Sequence, residues 1–244
     1  MNTNSTTSHH PKTVSREEWL AARLELLRRE KEWTRRGDAL TAEARELPWV
    51  RVETPYVFET REGTRTLGDL FAGRSQLAIY HFMFAPDWDE GCRSCSMIAD
   101  QLDRAAPHLA ERDVTLVLAS RAPLATFDPF RARMGWTLPW VSTHGSTFNV
   151  DFGVTFPDFD ESHPKREYNF GTAVPFAAET GGLSVFARRA MDDAVYHTYS
   201  TYGRGGEPMM VPYFLLDRVP RGRHEEGLPW PTAWLRHRDR YGLE

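Results

Sequence analysis

Apolar residues recur every seven positions at Trp19, Leu26, Trp33, Leu40 and Leu47. Leu20, Leu24 and Leu27 widen this stripe in its first half, and Arg and Glu crowd the opposite face. The periodicity predicts a long amphipathic helix. Ser15 followed by Glu18 makes a capping box at its start, Gly37 is the point where a break is expected, and Pro48 stops it. A stripe of this kind suits either a helix packed along its own domain or an arm that pairs with a second copy in a homodimer.

The pattern then changes from helical to extended. Val50 to Phe58 reads as a strand, and Glu62-Gly63 turns it into Thr64 to Leu67 to form an N-terminal hairpin. Leu67 to Phe71 reads as a short helical turn. Gln76 to Phe84 is rich in Leu, Ile, Tyr and Phe over the length of a central strand buried on both faces. Helical periodicity follows over Ser96 to Ala110, and Val114 to Ala119 is a second buried strand, so the three form a right-handed βαβ unit. A further helix is expected from Ala125 to Met134, ending at Gly135. Residues 136–182 are rich in Gly, Pro and aromatics without periodicity, and read as an insertion that serves as a lid or packs against the sheet. Leu183 to Arg189 and Ala194 to Tyr202 form a C-terminal hairpin around Met191-Asp192-Asp193. A helix over Met209 to Asp217 follows, and the tail with Trp230, Trp234 and the basic run Arg236 to Arg240 is expected to dock back onto the domain.

These elements divide the 244 residues into a disordered tail (1–14), the amphipathic helix (15–49) and one α/β domain (50–244) that carries the insertion at about 136–182. A formal net charge of −4 argues against nucleic acid and anionic membranes as partners. The apolar runs are far shorter than a membrane span. Met1 to Thr13 is polar without an apolar core or a cleavage-like site, so the expected setting is cytoplasmic. No phosphate-cradling glycine loop is present, and no cofactor is expected.

The chemistry is concentrated in Gly91-Cys92-Arg93-Ser94-Cys95, which holds the chain's only 2 cysteines. It lies between the central strand and the helix that follows, where ligands and reactive groups gather in sheets of this kind. A helix start stabilises a thiolate through its unpaired N–H groups and its dipole, so Cys92 is expected to be the attacking thiol. Cys95, one turn on, is placed to resolve a mixed disulfide. Arg93 favours the thiolate, whereas Asp87, Asp89 and Glu90 oppose it. A zinc site would need two further ligands from His81, His144, His163 or His197, none of which makes a second paired motif. An inert pair on a fold that has lost its chemistry is the other alternative.

A βαβ unit with Cys-x-x-Cys at its switch, a second helix and then a hairpin is similar to the thioredoxin fold. In more detail, Glu30-Lys31-Glu32, Glu46 to Val50, Tyr80 to Phe84, Gly91 to Ser96, Asp151 to Val154 and Tyr196 to Tyr202 resemble a bacterial family of thioredoxin-like proteins of unknown function, predicted to be dithiol-disulfide oxidoreductases. The resemblance implies a thioredoxin-like α/β fold extended by the N-terminal helix and hairpin and by the aromatic-rich insertion before the C-terminal hairpin. It implies Cys92 as nucleophile and Cys95 as resolving thiol, exchanging with a protein or small-molecule thiol or disulfide. Where thioredoxins carry a cis-proline opposite the thiols, Gly181, Gly182 and Leu183 stand here, and Arg93-Ser94 replaces Gly-Pro between the cysteines. Peroxiredoxins hold their cysteine in Pro-x-x-x-Thr/Ser-x-x-Cys; here Pro86 is one residue too close to Cys92 and Asp89 takes the hydroxyl position. A thiol peroxidase is therefore the lesser enzymatic alternative, and a non-catalytic interaction module of thioredoxin shape is the alternative from another class.

Overall fold

The structure, a computed structural model, describes residues 12–189 and 191–242, so most of the tail expected at 1–14 lies outside the described residues. The chain forms two compact units, residues 1–47 and 48–244. In the first, α1 (Arg16–Arg45) starts at the capping box: the Glu18 amide donates to Ser15 Oγ (3.2 Å) and the Ser15 amide to the Glu18 carboxylate (2.9 Å). The helix runs unbroken through Gly37, against the break expected there. A glycine costs a helix only about 1 kcal/mol relative to alanine, and pairs such as Arg28 with Glu25 and Glu32 (2.8 and 2.5 Å) support this one. No residue of α1 is buried, and Trp33 is 72% exposed.

The second unit is built on a sheet of eight described strands: β1 (Val50–Arg51), β2 (Val57–Thr60), β3 (Gly63–Thr66), β4 (Gln76–His81), β5 (Val114–Ser120), β6 (Trp140–Ser142), β7 (Gly182–Arg188) and β8 (Val195–Tyr202). Their order is β1-β8-β7-β4-β5-β6-β2-β3. β4 runs parallel to β5 through α2 (Arg93–Ala110), and β5 parallel to β6 through α3 (Leu124–Met134). β7 lies antiparallel on the other side of β4, with β8 beside it. A central strand that feeds the thiol-bearing helix, flanked by a parallel strand and an antiparallel hairpin, is the thioredoxin-like arrangement. α4 (Phe148–Asp151) and α5 (Val211–Leu216) complete the α-helices of the described residues.

Three strand expectations need correcting. Val50 to Phe58 is two strands: β1 pairs with β8 at one edge, while β2 pairs with β3 and β6 at the other. Pro55, which has no N–H to give a ladder, lies in the crossing between them. The central strand ends at His81, before Phe84, although the Phe82 amide still donates to the Ala119 carbonyl (2.8 Å). Residues 136–182 are only partly an insertion, because β6 within them belongs to the sheet. Beyond β6, Phe148 joins the core of the sheet, while Val154, Phe156 and Tyr168 form a small cluster with Tyr202 of β8.

Alternation along β4 and β5 supplies both cores. Ala78, Tyr80, Leu116 and Leu118 meet Ile98 and Ala99 of α2 and Phe127, Phe130 and Met134 of α3 on one face. Leu77, Ile79, Val117 and Ala119 meet Phe71, Phe148 and Phe186 on the other. Asp103, buried on α2, accepts from the amides of Thr137 (2.6 Å) and Leu138 (2.9 Å) and so ties the approach to β6 onto the helix.

His81 is fully buried on the second face, stacked on Phe148, and begins a polar chain. Its Nε2 lies 2.8 Å from Ser184 Oγ, which lies 2.9 Å from Ser200 Oγ, itself 2.8 Å from His197 Nε2. Burial pushes the His81 imidazole down to about 3, and lowers His197 as well. An unfolded histidine takes up a proton below its ordinary 6.5, whereas folded His81 refuses one until about 3. Its contribution to stability is therefore lost as pH falls across that window. The thermal midpoint is expected to decline between pH 6.5 and 3, and to decline less steeply in a His81→Gln variant, measured by calorimetry across the same pH series.

Candidate functional site

Beyond β4 the chain loops from Phe82 to Gly91 and enters α2 at Cys92, the residue that caps the helix. The peptide groups of Met83 hold both cysteines. Its carbonyl accepts the Cys92 amide (3.0 Å), and its own amide donates to Cys95 Sγ (3.5 Å). The loop is packed too closely for any side chain at Gly91, where a Cβ would stand 2.5 Å from Phe82 Cε1 and 2.9 Å from Phe130 Cε1. From the C-terminal segment, His237 Nε2 donates to the Gly91 carbonyl (2.9 Å), while Arg133 donates to His237 Nδ1 (3.0 Å), so the ring is the neutral Nε2–H tautomer. Glu90 is paired with Arg133 and Arg240, which hold its carboxyl below the ordinary range against the opposing effect of desolvation.

Both thiols are free, and they are unequal. Cys92 is half-buried and lines an open groove of about 480 Å³ with Trp88, Arg93 and Trp230. Cys95 is only 3% exposed and faces a smaller cavity of about 160 Å³ with Tyr80, Tyr168 and Phe176. The Cys95 thiol donating to the Cys92 sulfur is the largest influence on Cys92. With the Cys95 amide and the hydroxyl and amide of Ser94 (Oγ 3.2 Å from Sγ), it holds Cys92 down to about 6 from an ordinary 9.0, against desolvation. Desolvation, and then the neighbouring Cys92, push Cys95 well up. Tyr80 and the Met83 amide work the other way on Cys95 by offering hydrogen bonds to its sulfur. The result is an acidic thiol at the surface with a thiol of raised pKa behind it.

Of the residues read from the sequence, Cys92 and Cys95 are brought together. The four histidines are not gathered around them. His81 and His197 belong to the polar chain on the other face, and His163 pairs with Asp160 in an exposed turn. Among the described residues no three His, Cys, Asp or Glu side chains are grouped as a metal site. Gly181 stands opposite the thiols, where an added Cβ would lie 3.7 Å from Cys95 Sγ and 3.6 Å from the Tyr80 hydroxyl, and no described peptide bond is cis. Sequence reasoning missed Met83, Tyr80, Thr232 and His237. Tyr80 was visible as one member of an apolar run, and His237 as part of a basic tail. Thr232 carried no signal: a β-branched residue held at φ 74°, it borders the surroundings of both thiols.

Comparison with known proteins places the chain in a family. The family model described as bacterial protein of unknown function (DUF899) matches residues 8–241, and the chain belongs to that family. No curated protein matches the sequence. Among solved structures, the chain is similar to peroxidoxin BcpB from Mycobacterium tuberculosis, at 15% identity over 68% of this chain and 94% of that one, with a TM-score of 0.46. It is also similar to peroxiredoxin Q from Xanthomonas campestris, at 15% identity over 71% of this chain and 99% of that one, with a TM-score of 0.46. Among the described residues no helix is long and apolar enough to cross a membrane.

Alkylation by iodoacetamide reports these acidities directly. Labelling of Cys92 is expected to rise with pH around a midpoint near 6, with Cys95 unlabelled in the folded protein. In a Cys95→Ala variant, which loses the principal donor, the midpoint should move up toward 9.0; an unmoved midpoint would contradict the assigned cause.

Proposed function

We propose that this member of the family is a dithiol-disulfide oxidoreductase that cycles Cys92 and Cys95 between dithiol and disulfide. The reading is carried by one observation: two free thiols, Cys92 half-exposed at the start of α2 and Cys95 buried one turn on, are both tied to the peptide groups of Met83 at the end of the central strand. A single acidic cysteine is a nucleophile; an acidic cysteine backed by a second thiol has a built-in route to release.

In the forward direction the Cys92 thiolate attacks one sulfur of a substrate disulfide. A mixed disulfide forms, and the first substrate thiolate leaves. With Cys92 no longer anionic, the principal charge that raised Cys95 is gone, and Cys95 loses its proton to the departing thiolate or to water. The Met83 amide and the Tyr80 hydroxyl then favour the Cys95 thiolate as it attacks Cys92 Sγ and expels the second substrate thiolate. One disulfide is broken, one is formed, and two electrons pass from the protein to the substrate. The reverse sequence oxidises two thiols. A cytoplasmic setting suits this cycle, because a lone Cys-x-x-Cys is more often redox-active than structural in a reducing compartment.

A peroxidase is less well supported, since Asp89 stands where that chemistry needs a hydroxyl beside the attacking sulfur. Equilibrated in glutathione buffers, quenched in acid and alkylated after denaturation so that the buried Cys95 is also counted, the protein is expected to pass reversibly from two labelled thiols to none at a potential between about −180 and −270 mV. A pair that stays reduced across that range overturns the reading. Cys95→Ser should accumulate a mixed disulfide on Cys92 detectable by mass, and Cys92→Ser should lose exchange altogether.

A further inference from the structure

The exchange reading leaves open what brings the disulfide. A polypeptide substrate is commonly gripped by adding its extended backbone to a free strand edge beside the reactive group. The extended backbone beside these thiols is the stretch 178–181 leading into β7, where Gly181 stands against Cys95. One side of that stretch is already taken by the chain itself. The Thr180 amide donates to the Val154 carbonyl (2.8 Å) and the Phe156 amide to the Ala178 carbonyl (2.9 Å), with Thr155 and Glu179 bridged antiparallel between them. Glu179 fixes the pairing through Thr155 Oγ1 (3.0 Å) and the Arg121 guanidinium, and the Gly181 carbonyl accepts from the Tyr168 hydroxyl (3.3 Å).

The far wall is equally built. The Glu225 carboxylate accepts from the Tyr213 hydroxyl (2.6 Å), the Thr232 amide (3.0 Å) and the Trp234 indole (2.8 Å), which holds the C-terminal segment in place beside Cys92. What remains is a groove of about 480 Å³ bordered by the rings of Trp88 and Trp230. That volume falls in the range of small-molecule sites, roughly 300–1,000 Å³. Its charge is set by what is left unpaired. Glu90, the acid that lines the groove, is neutralised by two arginines, whereas Arg93, exposed and next to Cys92, makes no ion pair among the described residues; Asp87 and Asp89, exposed and likewise without ion pairs, flank Trp88 but do not line the groove.

We infer that the substrate of this thiol pair is a low-molecular-weight disulfide bearing carboxylates, guided by Arg93 into the groove between Trp88 and Trp230, and not an extended polypeptide. The inference rests on the exchange reading and adds substrate class to it. The chemistry is the balanced step already given: Cys92 Sγ bonds to one half of the small disulfide and releases the other as a thiolate, and Cys95 releases the first half.

The test is single-turnover kinetics of the reduced full-length protein with three disulfides: glutathione disulfide, the small dication cystamine, and insulin. Each rate is divided by the rate of dithiothreitol with the same disulfide, and uncharged iodoacetamide reports the thiolate in every variant. Glutathione disulfide is expected to be favoured at least tenfold over cystamine and at least a hundredfold over insulin. An Arg93→Gln variant should lose most of the preference over cystamine once corrected for its iodoacetamide rate. Insulin reacting within tenfold of glutathione disulfide would overturn the small-molecule assignment. Equal rates for glutathione disulfide and cystamine, or a preference unchanged in Arg93→Gln, would overturn the assignment of charge. Failure to react with all three, and with the strongly electrophilic 4,4′-dithiodipyridine, would overturn the exchange reading itself, an outcome distinct from the others.

Discussion

The site depends on one residue of backbone. Met83 offers its carbonyl to the amide of Cys92 and its amide to the sulfur of Cys95, so the two thiols are fixed relative to the end of the central strand and to each other. The acidity of Cys92 comes mainly from Cys95, and Cys95 can act only if its sulfur is held at the back of the first helical turn. Everything around Met83 keeps it there. β4 is clamped between β5 and β7, Phe84 accepts the Ala122 amide (2.8 Å), and Gly91 is pressed against Phe82. A loop between a strand and a helix thereby acquires the rigidity of the sheet.

The thiols differ because the fold treats them differently. Cys92 caps α2 and reaches the surface; Cys95 is one turn deeper, among Tyr80, Ile98 and the insertion. Burial alone would raise both. Cys92 escapes because hydrogen bonds to its sulfur outweigh its desolvation; on Cys95 desolvation is the largest influence and the neighbouring Cys92 adds to it. The residues of the C-terminal segment contribute by position. His237, neutral and committed at both nitrogens, braces the loop in front of Cys92 instead of acting as its base.

Much of this frame was legible in the sequence. Leu77 to Tyr80 and Leu116 to Ala119 are continuous apolar runs because they are buried on both faces, and the turn chemistry between β7 and β8 marks a hairpin. The cysteines announce themselves by spacing. What escaped has a common cause. β1 and β6 are too short to show alternation, and each owes its existence to a partner strand far away in the chain. Met83 works through peptide atoms, which no side-chain pattern encodes. Arg93 was recognised as opposed by Asp87, Asp89 and Glu90, but only the folded chain brings Arg133 and Arg240 to Glu90 and so neutralises that one of the three.

The placement of β4 at the centre of the sheet also bears on how the protein comes to be made. As the chain leaves the ribosome, β4, α2 and β5 emerge together and can pair at once. Ile79 must wait for Ser184 of β7, and the two-residue β1, made earlier still, waits for Tyr196 and His197 of β8. Until the hairpin arrives, the nascent chain exposes one whole edge of its central strand beside a pair of thiols that still lack the cover of Tyr168, Phe176 and Gly181 from the later chain. The protein is most open to mispairing, and to trapping by whatever disulfides surround it, during synthesis and not after it.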